Sequence, residues 1–556
     1  MPVARREDAP PLGVVYTPAE IARPMVELAL APLLESARTT DALLSLRICD
    51  PALGEGVFLV EVVDVLAARL VDAWETERAP TDRGACRTID DARRAVRAHC
   101  IYGVDVDARA VATARRALDT PHVQVANALA VDWRAMFPGV FARGGFDLVI
   151  GNPPYIRQEL LADKSILRGF ESYDGVADLY VYFIELAHRI ARSGGRYCFI
   201  TPNKWLTVAY GRALRGFLAR QASVEGVVDM GAVRVFAEDA FPCIVWGTNA
   251  RSAMPVHAAR GALAARRVPH DRARWTAEPW HIDEPADRAL IDELHQRWPA
   301  FGDVVGRPSR GIVTGANDVF EIDRATRDRL LASEPAAEPL VRALVKGRDL
   351  RPYRAEPADR FILLIDHGTS IDHLPHLTAY LARFRDELEP GRGRKPGKYR
   401  WYELQDPVGP LSASSAPRLF YQDIQSAPGC CLDERGLVPD TTVWTLPTSD
   451  RFVLAVLNSP LYGWYAQRRF PPALNGAVRP KREYIRALPL ATPSPSHRAR
   501  IDALVEERLS GENAELDVAI ADAVLDAYDL TASQRAVVAR AGGVRDRTAA
   551  RRSRSR

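Results

Sequence analysis

From Leu46 onward the chain alternates short apolar runs with amphipathic helical spacing, and this constrains the fold more than any other feature. It is the pattern of a parallel sheet whose crossovers are helices. The runs that read as strands are 46–49, 101–104, 123–125, 146–150, 196–200, 224–228 and 244–246. Helices are expected at 108–118 and 179–192, the latter stopping at Ser193-Gly194-Gly195. A doubly wound, Rossmann-like α/β domain over 1–250 follows. The alternation dissolves in 251–299, rich in Ala, Arg and Pro, which reads as a connecting segment. Residues 300–490 mix short segments with basic and aromatic clusters and read as a separate α+β domain. Helical spacing returns over 491–540, as in Ile501, Leu504, Val505 and Leu509, and the Arg-rich 541–556 reads as a disordered basic tail.

A chain of 556 residues accommodates about three such units, at roughly 100–200 residues each. Its longest apolar runs, Val57-Phe58-Leu59-Val60 and Phe361-Ile362-Leu363-Leu364-Ile365, fall far short of the ~20 residues that span a bilayer. The first residues lack the apolar stretch of a signal peptide, so no membrane association and a cytoplasmic location are expected. Seven cysteines without a C-x-x-C pair argue against a disulfide framework or a structural zinc, and no metal site is expected. Net charge is only +3, but its distribution is uneven: 28 Lys/Arg face 31 Asp/Glu in 1–250, and 46 face 40 in 251–556.

After the first strand comes Asp50-Pro51-Ala52-Leu53-Gly54-Glu55-Gly56, an acid followed by a glycine-spaced turn that opens a helix. Open α/β sheets bind ligands at this edge. The third glycine of a dinucleotide fingerprint is missing, and so is the Gly-Lys-Ser/Thr of a phosphate loop. An acid without a phosphate cradle suits a ligand bearing a cationic amine, such as S-adenosylmethionine. Asp105, with Val106 beside it, stands at the second strand's tip, where a carboxylate can accept from ribose hydroxyls, and Asn127 follows the third strand, within reach of an adenine. A cap or a turn former would explain each alone; three successive strand tips make the ligand reading stronger. Asp105 lies 49 residues beyond Gly56, against about 20 in a minimal βαβ unit, and 75–96 reads as a surface insertion that accounts for the excess.

The fourth strand runs directly into Gly151-Asn152-Pro153-Pro154-Tyr155. Two prolines fix φ and restrict the residue before each, so this loop is stiff and its carbonyls are held in place.

In these segments the chain resembles the TaqI-like (gamma-class) N6-adenine DNA methyltransferases of restriction–modification systems, over most of 14–247. Val15-Tyr16-Thr17-Pro18 resembles their N-terminal cofactor motif, and Asp50 to Gly56, with Ala52, their glycine loop. Asp105 and Val106 resemble the ribose and adenine contacts, and Asn127 stands where the family commonly has Asp. Asn152, Pro153, Pro154 and Tyr155 resemble the catalytic motif, Asp178-Leu179-Tyr180 the block after it, and Val235-Phe236 the loop whose aromatic ring stacks on the target base. The resemblance implies S-adenosylmethionine as cofactor and an adenine flipped out of double-stranded DNA, stacked between Tyr155 and Phe236. If the Asn152 side-chain carbonyl and the Pro153 backbone carbonyl accept the two amine hydrogens, the amine lone pair turns toward the sulfonium methyl. Positioning and fixed dipoles then do the catalysis. No nucleophilic cysteine is needed, unlike the Pro-Cys pair of cytosine-C5 enzymes.

In the second half, 391–401 carries five cations and no acid and ends in aromatics. With Arg468-Arg469-Phe470 and Lys481-Arg482 it gives the expected DNA contacts: Arg392, Arg394, Lys395, Lys398, Arg400, Arg468, Arg469, Lys481 and Arg482. The segments 345–353 and 457–461 resemble the TaqI-like and Eco-type C-terminal specificity domain. The cofactor motif begins almost at once, which leaves no room for an N-terminal nuclease, and none of the six lysines has Asp or Glu two residues before it; a separately encoded restriction nuclease or defence-system subunit is the expected partner. Methylation of RNA adenine or protein glutamine uses the same motif, but the large basic C-terminal half disfavours a small glutamine enzyme. A DNA-binding subunit without activity is disfavoured by the intact Asp50, Asp105 and Asn152.

Overall fold

The computed structural model describes residues 17–77, 88–161, 163–231 and 241–540. The chain divides into two compact units, Met1–Asp283 and Glu284–Arg556.

The first unit holds a nine-stranded sheet. In chain order its strands are β1 (Ile48–Asp50), β2 (Ile101–Asp105), β3 (Val123–Val125), β4 (Phe146–Gly151), β5 (Ala191–Pro202), β6 (Val224–Asp229), β7 (Pro242–Thr248), β8 (Val256–Arg260) and β9 (Val268–His270). Their spatial order is 3-2-1-4-5-7-6-8-9. Strands β3 to β5 run parallel, and β7 is antiparallel to both neighbours, β5 and β6. The order therefore reverses between β1 and β4, the point at which doubly wound sheets open a ligand crevice. Helices Ala19–Ser36 and Val57–Glu77 cover one face with residues such as Met25, Leu30, Val62 and Leu66; Tyr180–Ile190 and Arg212–Gln221 cover the other.

Three expectations change. The helix after Asp178 stops at Ile190, not Arg192, and Ser193-Gly194-Gly195 belongs to β5. Glycine is needed there for another reason: a Cβ on Gly195 would lie 2.6 Å from the Phe146 carbonyl oxygen. The 75–96 segment is less an insertion than an extra helix, Ile89–His99, which buries Ala92 and Val96 and starts on a Thr88–Asp91 capping box. With the 21-residue Val57–Glu77 helix it accounts for the long spacing to Asp105. Finally, the 251–299 segment is not merely a connection. It supplies β8 and β9, and the units divide at Asp283; Ala and Pro masked strand periodicity there.

The second unit is mixed α+β. One four-stranded sheet orders Ser309–Arg310, Val443–Leu446, Arg418–Gln422 and Cys430–Asp433; another orders Glu321–Asp323, Arg360–Leu363, Val341–Val345 and Val438–Pro439. Helices Arg451–Asn458, Pro460–Arg469, Pro495–Ser510 and Ala514–Ala527 bury Leu454, Trp464, Ile501 and Val524 in one core. The basic tail 541–556 lies outside the described residues. No helix among the described residues is long and apolar enough to cross a membrane.

Candidate active site

The tips of β1, β2 and β4 converge at the reversal of strand order. Asp50 ends β1 and is 1% exposed. Its Oδ1 accepts the Ala52 N–H at 2.9 Å, which bends the loop back on the strand. Burial, with the nearby Asp105 charge adding to it, pushes the Asp50 carboxyl up to about 8, although the Ala52 bond works the other way. A buried carboxyl held neutral in this way is stabilised as an anion by a cationic group.

Gly54 and Gly56 both take positive φ, +53° and +90°. At Gly56 a Cβ would also press against Ala114 and Leu118, each at 3.3 Å. The glycines therefore serve the turn and the close helix packing as well as any ligand. Asp105 does what the sequence did not reveal: its Oδ2 accepts the Gly54 N–H and its Oδ1 the Asp107 N–H, both at 2.8 Å. The carboxylate thus ties the glycine loop to the β2 tip and still has acceptor capacity. Val106 beside it is 74% exposed, and Val125 at the β3 tip is 47% exposed. Two bare valines at strand tips form an apolar ledge suited to the flat face of a base. Asn127 is exposed; its side chain accepts the Leu129 N–H at 3.1 Å and its backbone carbonyl those of Ala130 and Val131 at 3.0 Å, so it also shapes a turn.

At the end of fully buried β4, Asn152 donates from Nδ2 to Thr17 Oγ1 at 3.0 Å. Thr17 is itself buried and leads into the Ala19–Ser36 helix. This bond orients the amide, nitrogen toward Thr17 and carbonyl oxygen on the opposite arm. Pro153 is buried, while Pro154 and Tyr155 are half-buried. Beyond them, the Leu179 N–H donates to the Ile156 carbonyl at 2.8 Å and Arg157 pairs with Asp178, so both arms of the loop are anchored. The Tyr155 ring meets Tyr180 edge to face, centroids 6.2 Å apart. At the tip of β5, Asn203 Nδ2 donates to Asp229 Oδ1, at the tip of β6, at 2.8 Å. Sequence reasoning passed over this pair; its only signal is the position of Asn203 at a strand end. Val15, Tyr16, Val235 and Phe236 lie outside the described residues.

The expected DNA contacts separate into two groups. Arg394 is buried and donates to the carbonyl oxygens of Leu388, Thr314, Glu403 and Trp401, so it closes its own loop and is unavailable to phosphate. Arg468 bonds Asp287 at 2.9 Å and the Trp464 carbonyl at 3.0 Å, its side chain 15% exposed, which likewise makes it structural. Arg469 is half-buried and Lys481 leads into the short helix Arg482–Ile485. Arg392, Lys395, Lys398, Arg400 and Arg482 are exposed. A sequence shows that an arginine is present, not whether its five donors are already used. Among the described residues no group of three His, Cys, Asp or Glu is placed to hold a metal ion.

Residues 119–236 match the Eco57I restriction-modification methylase family, and 342–490 match the TaqI-like C-terminal specificity domain. The Type II methyltransferase M.PaeR7I of Pseudomonas aeruginosa is 26% identical over 506 residues, covering 84% of this chain and 85% of that protein. M.XhoI of Xanthomonas vasicola is 24% identical over 536 residues, covering 89% and 94%. The fold is similar to that of the Type IIL restriction-modification enzyme MmeI, solved in complex with DNA, with a TM-score of 0.68 at 14% identity, covering 96% of this chain and 79% of that one.

Proposed function

We propose that this chain, which matches the Eco57I restriction-modification methylase over 119–236 and the TaqI-like C-terminal specificity domain over 342–490, transfers a methyl group to N6 of an adenine rotated out of duplex DNA. The observation that carries this reading is the Asn152–Thr17 bond beside buried Asp50, which joins an oriented amide to an acid suited to a cationic ligand.

The residues present fit S-adenosylmethionine. Asp50, raised to about 8 by burial, favours an ammonium; Asp105 retains acceptor capacity for ribose hydroxyls; Ala52, Gly54 and Gly56 form the turn between them; and Val106 offers an apolar ledge for adenine. Asn127 and Thr17 border the same strand tips. Bound there, S-adenosylmethionine supplies an electrophilic methyl on a sulfonium.

An exocyclic amine is a weak nucleophile because its lone pair is delocalised into the ring. The Asn152 carbonyl and the Pro153 backbone carbonyl accept its two hydrogens and draw the nitrogen toward tetrahedral geometry. Because both oxygens sit on a proline-stiffened loop anchored at each end, little reorganisation is needed at the moment of reaction. Tyr155 offers one face for stacking, which offsets part of the few kcal/mol that base rotation costs. By the family resemblance, Phe236 would supply the other face. The exposed cations Arg392, Lys395, Lys398, Arg400 and Arg482 contact backbone phosphates, and the 342–490 domain selects the sequence. Partners are duplex DNA and, in a restriction–modification setting, a separate nuclease. Modification-aware sequencing of DNA from cells expressing the chain reads base, position and motif together. A recurrent N6-methyladenine motif supports the proposal; its absence, with methyl on RNA or protein instead, overturns it.

A further inference from the structure

Stacking a base on Tyr155 requires that its ring be held at a fixed tilt. The edge-to-face neighbour, Tyr180, is fully buried, and its hydroxyl lies 2.6 Å from that of Tyr210. Tyr210 in turn donates to Asp178 Oδ2 at 3.3 Å. Burial pushes both phenols upward, so both remain protonated and the chain has one direction, Tyr180 to Tyr210 to Asp178. These three residues come from two separate places, the start of the Tyr180–Ile190 helix and the short Ala209–Gly211 turn beyond β5.

We infer that Tyr210 is a positioning residue for Tyr155, acting through Tyr180; this rests on the reading of Tyr155 as a base-stacking residue. Deleting the Tyr210 hydroxyl deprives a buried phenol of its 2.6 Å bond, and a buried hydroxyl must then turn to find another partner. Tyr180 tilts, and the ring packed on its edge tilts with it. The Tyr210 backbone does not depend on that hydroxyl, because Arg215 donates to the Trp205 and Val208 carbonyls at 2.5 and 3.0 Å and holds the preceding turn. Tyr210→Phe therefore alters the relay without dismantling the loop.

The test compares wild type, Tyr210→Phe, Tyr180→Phe and the double variant. It measures kcat, KM for DNA and for cofactor, melting temperature, and the fluorescence of 2-aminopurine placed at the methylated adenine. Each single change lowers kcat about tenfold with both KM values within about twofold, as a small misplacement of a positioning group does. Melting falls by no more than a few degrees, and 2-aminopurine is quenched less by the variant than by wild type. The double variant loses no more than Tyr210→Phe alone, since the Tyr180–Tyr210 bond is common to both changes and the Asp178 bond goes with Tyr210. Wild-type kcat and quenching in Tyr210→Phe, multiplicative losses in the double variant, or losses that merely follow a fall in melting temperature each overturn the inference. A wild-type protein inactive on adenine overturns the proposed function, and this inference with it. An active wild type with unaffected variants overturns only the role of Tyr210.

Discussion

Gly151, the last residue of β4, lies against the carboxylate of Asp50, the last residue of β1: a Cβ built on Gly151 would stand 2.5 Å from Asp50 Oδ1. The two strands are neighbours at the point where the sheet order reverses, so the loop that carries Asn152 and the acid proposed to face the cofactor share one wall. Gly151→Ala therefore displaces one of them. Binding of S-adenosylmethionine, measured by calorimetry, should weaken at least about tenfold, with a loss of stability of about 1–3 kcal/mol from overpacking. Unaltered affinity with unaltered methyl transfer would contradict the shared wall.

If the Asp50 carboxyl, raised from its ordinary range to about 8 by burial, meets the cofactor's ammonium as proposed, cofactor binding should depend on pH. In the free protein it holds a proton at pH 7 that an incoming ammonium displaces. Affinity should rise by up to about tenfold per pH unit toward pH 8 and flatten there, with proton release detectable as a buffer-dependent binding enthalpy. The stability sign is opposite. Between about pH 4 and 8 the folded state binds more protons at Asp50 than the unfolded state does, so the free protein loses stability as pH rises through that window. Asp50→Asn should abolish both trends; if either persists in full, another group is responsible.

Asn152→Ala should lower kcat at least about a hundredfold while leaving DNA affinity within a few-fold, as loss of a preorganised acceptor does. Thr17→Val keeps the shape of the side chain but removes the oxygen that receives the amide nitrogen. It should cost about tenfold in kcat without changing KM for DNA. Wild-type kcat in Thr17→Val would show that the orientation of this amide is irrelevant.

Arg392, Lys395, Lys398 and Arg400 are the exposed cations of their segment and the ones proposed to meet phosphates. Neutralising them together should weaken DNA binding and reduce the slope of log affinity against log salt by about one for each phosphate left without its cation. Arg394→Ala should instead cost about 1–3 kcal/mol of folding stability, since four carbonyl oxygens lose their donor. A normal melting temperature in Arg394→Ala would contradict the structural role.

The sheet was legible because parallel strands buried on both faces leave near-continuous apolar runs, and 123–125 and 108–118 appear in the structure with the expected bounds. Strand tips were legible too, because turns and acids punctuate those runs. What the sequence concealed is where donors and acceptors go. Nothing local distinguishes buried Arg394 from exposed Lys395, and the Asn152–Thr17 bond spans 135 positions. The β8 and β9 strands were hidden because Val256–Arg260 and Val268–His270 are short and carry few β-branched residues.

The most direct test supplies purified protein with S-adenosylmethionine bearing a deuterated methyl group and duplex DNA, then digests the DNA to nucleosides for mass spectrometry. The account expects the label on N6-methyldeoxyadenosine, and its disappearance in Asn152→Ala. Label on a cytosine derivative, or label retained in Asn152→Ala at the wild-type level, would contradict it.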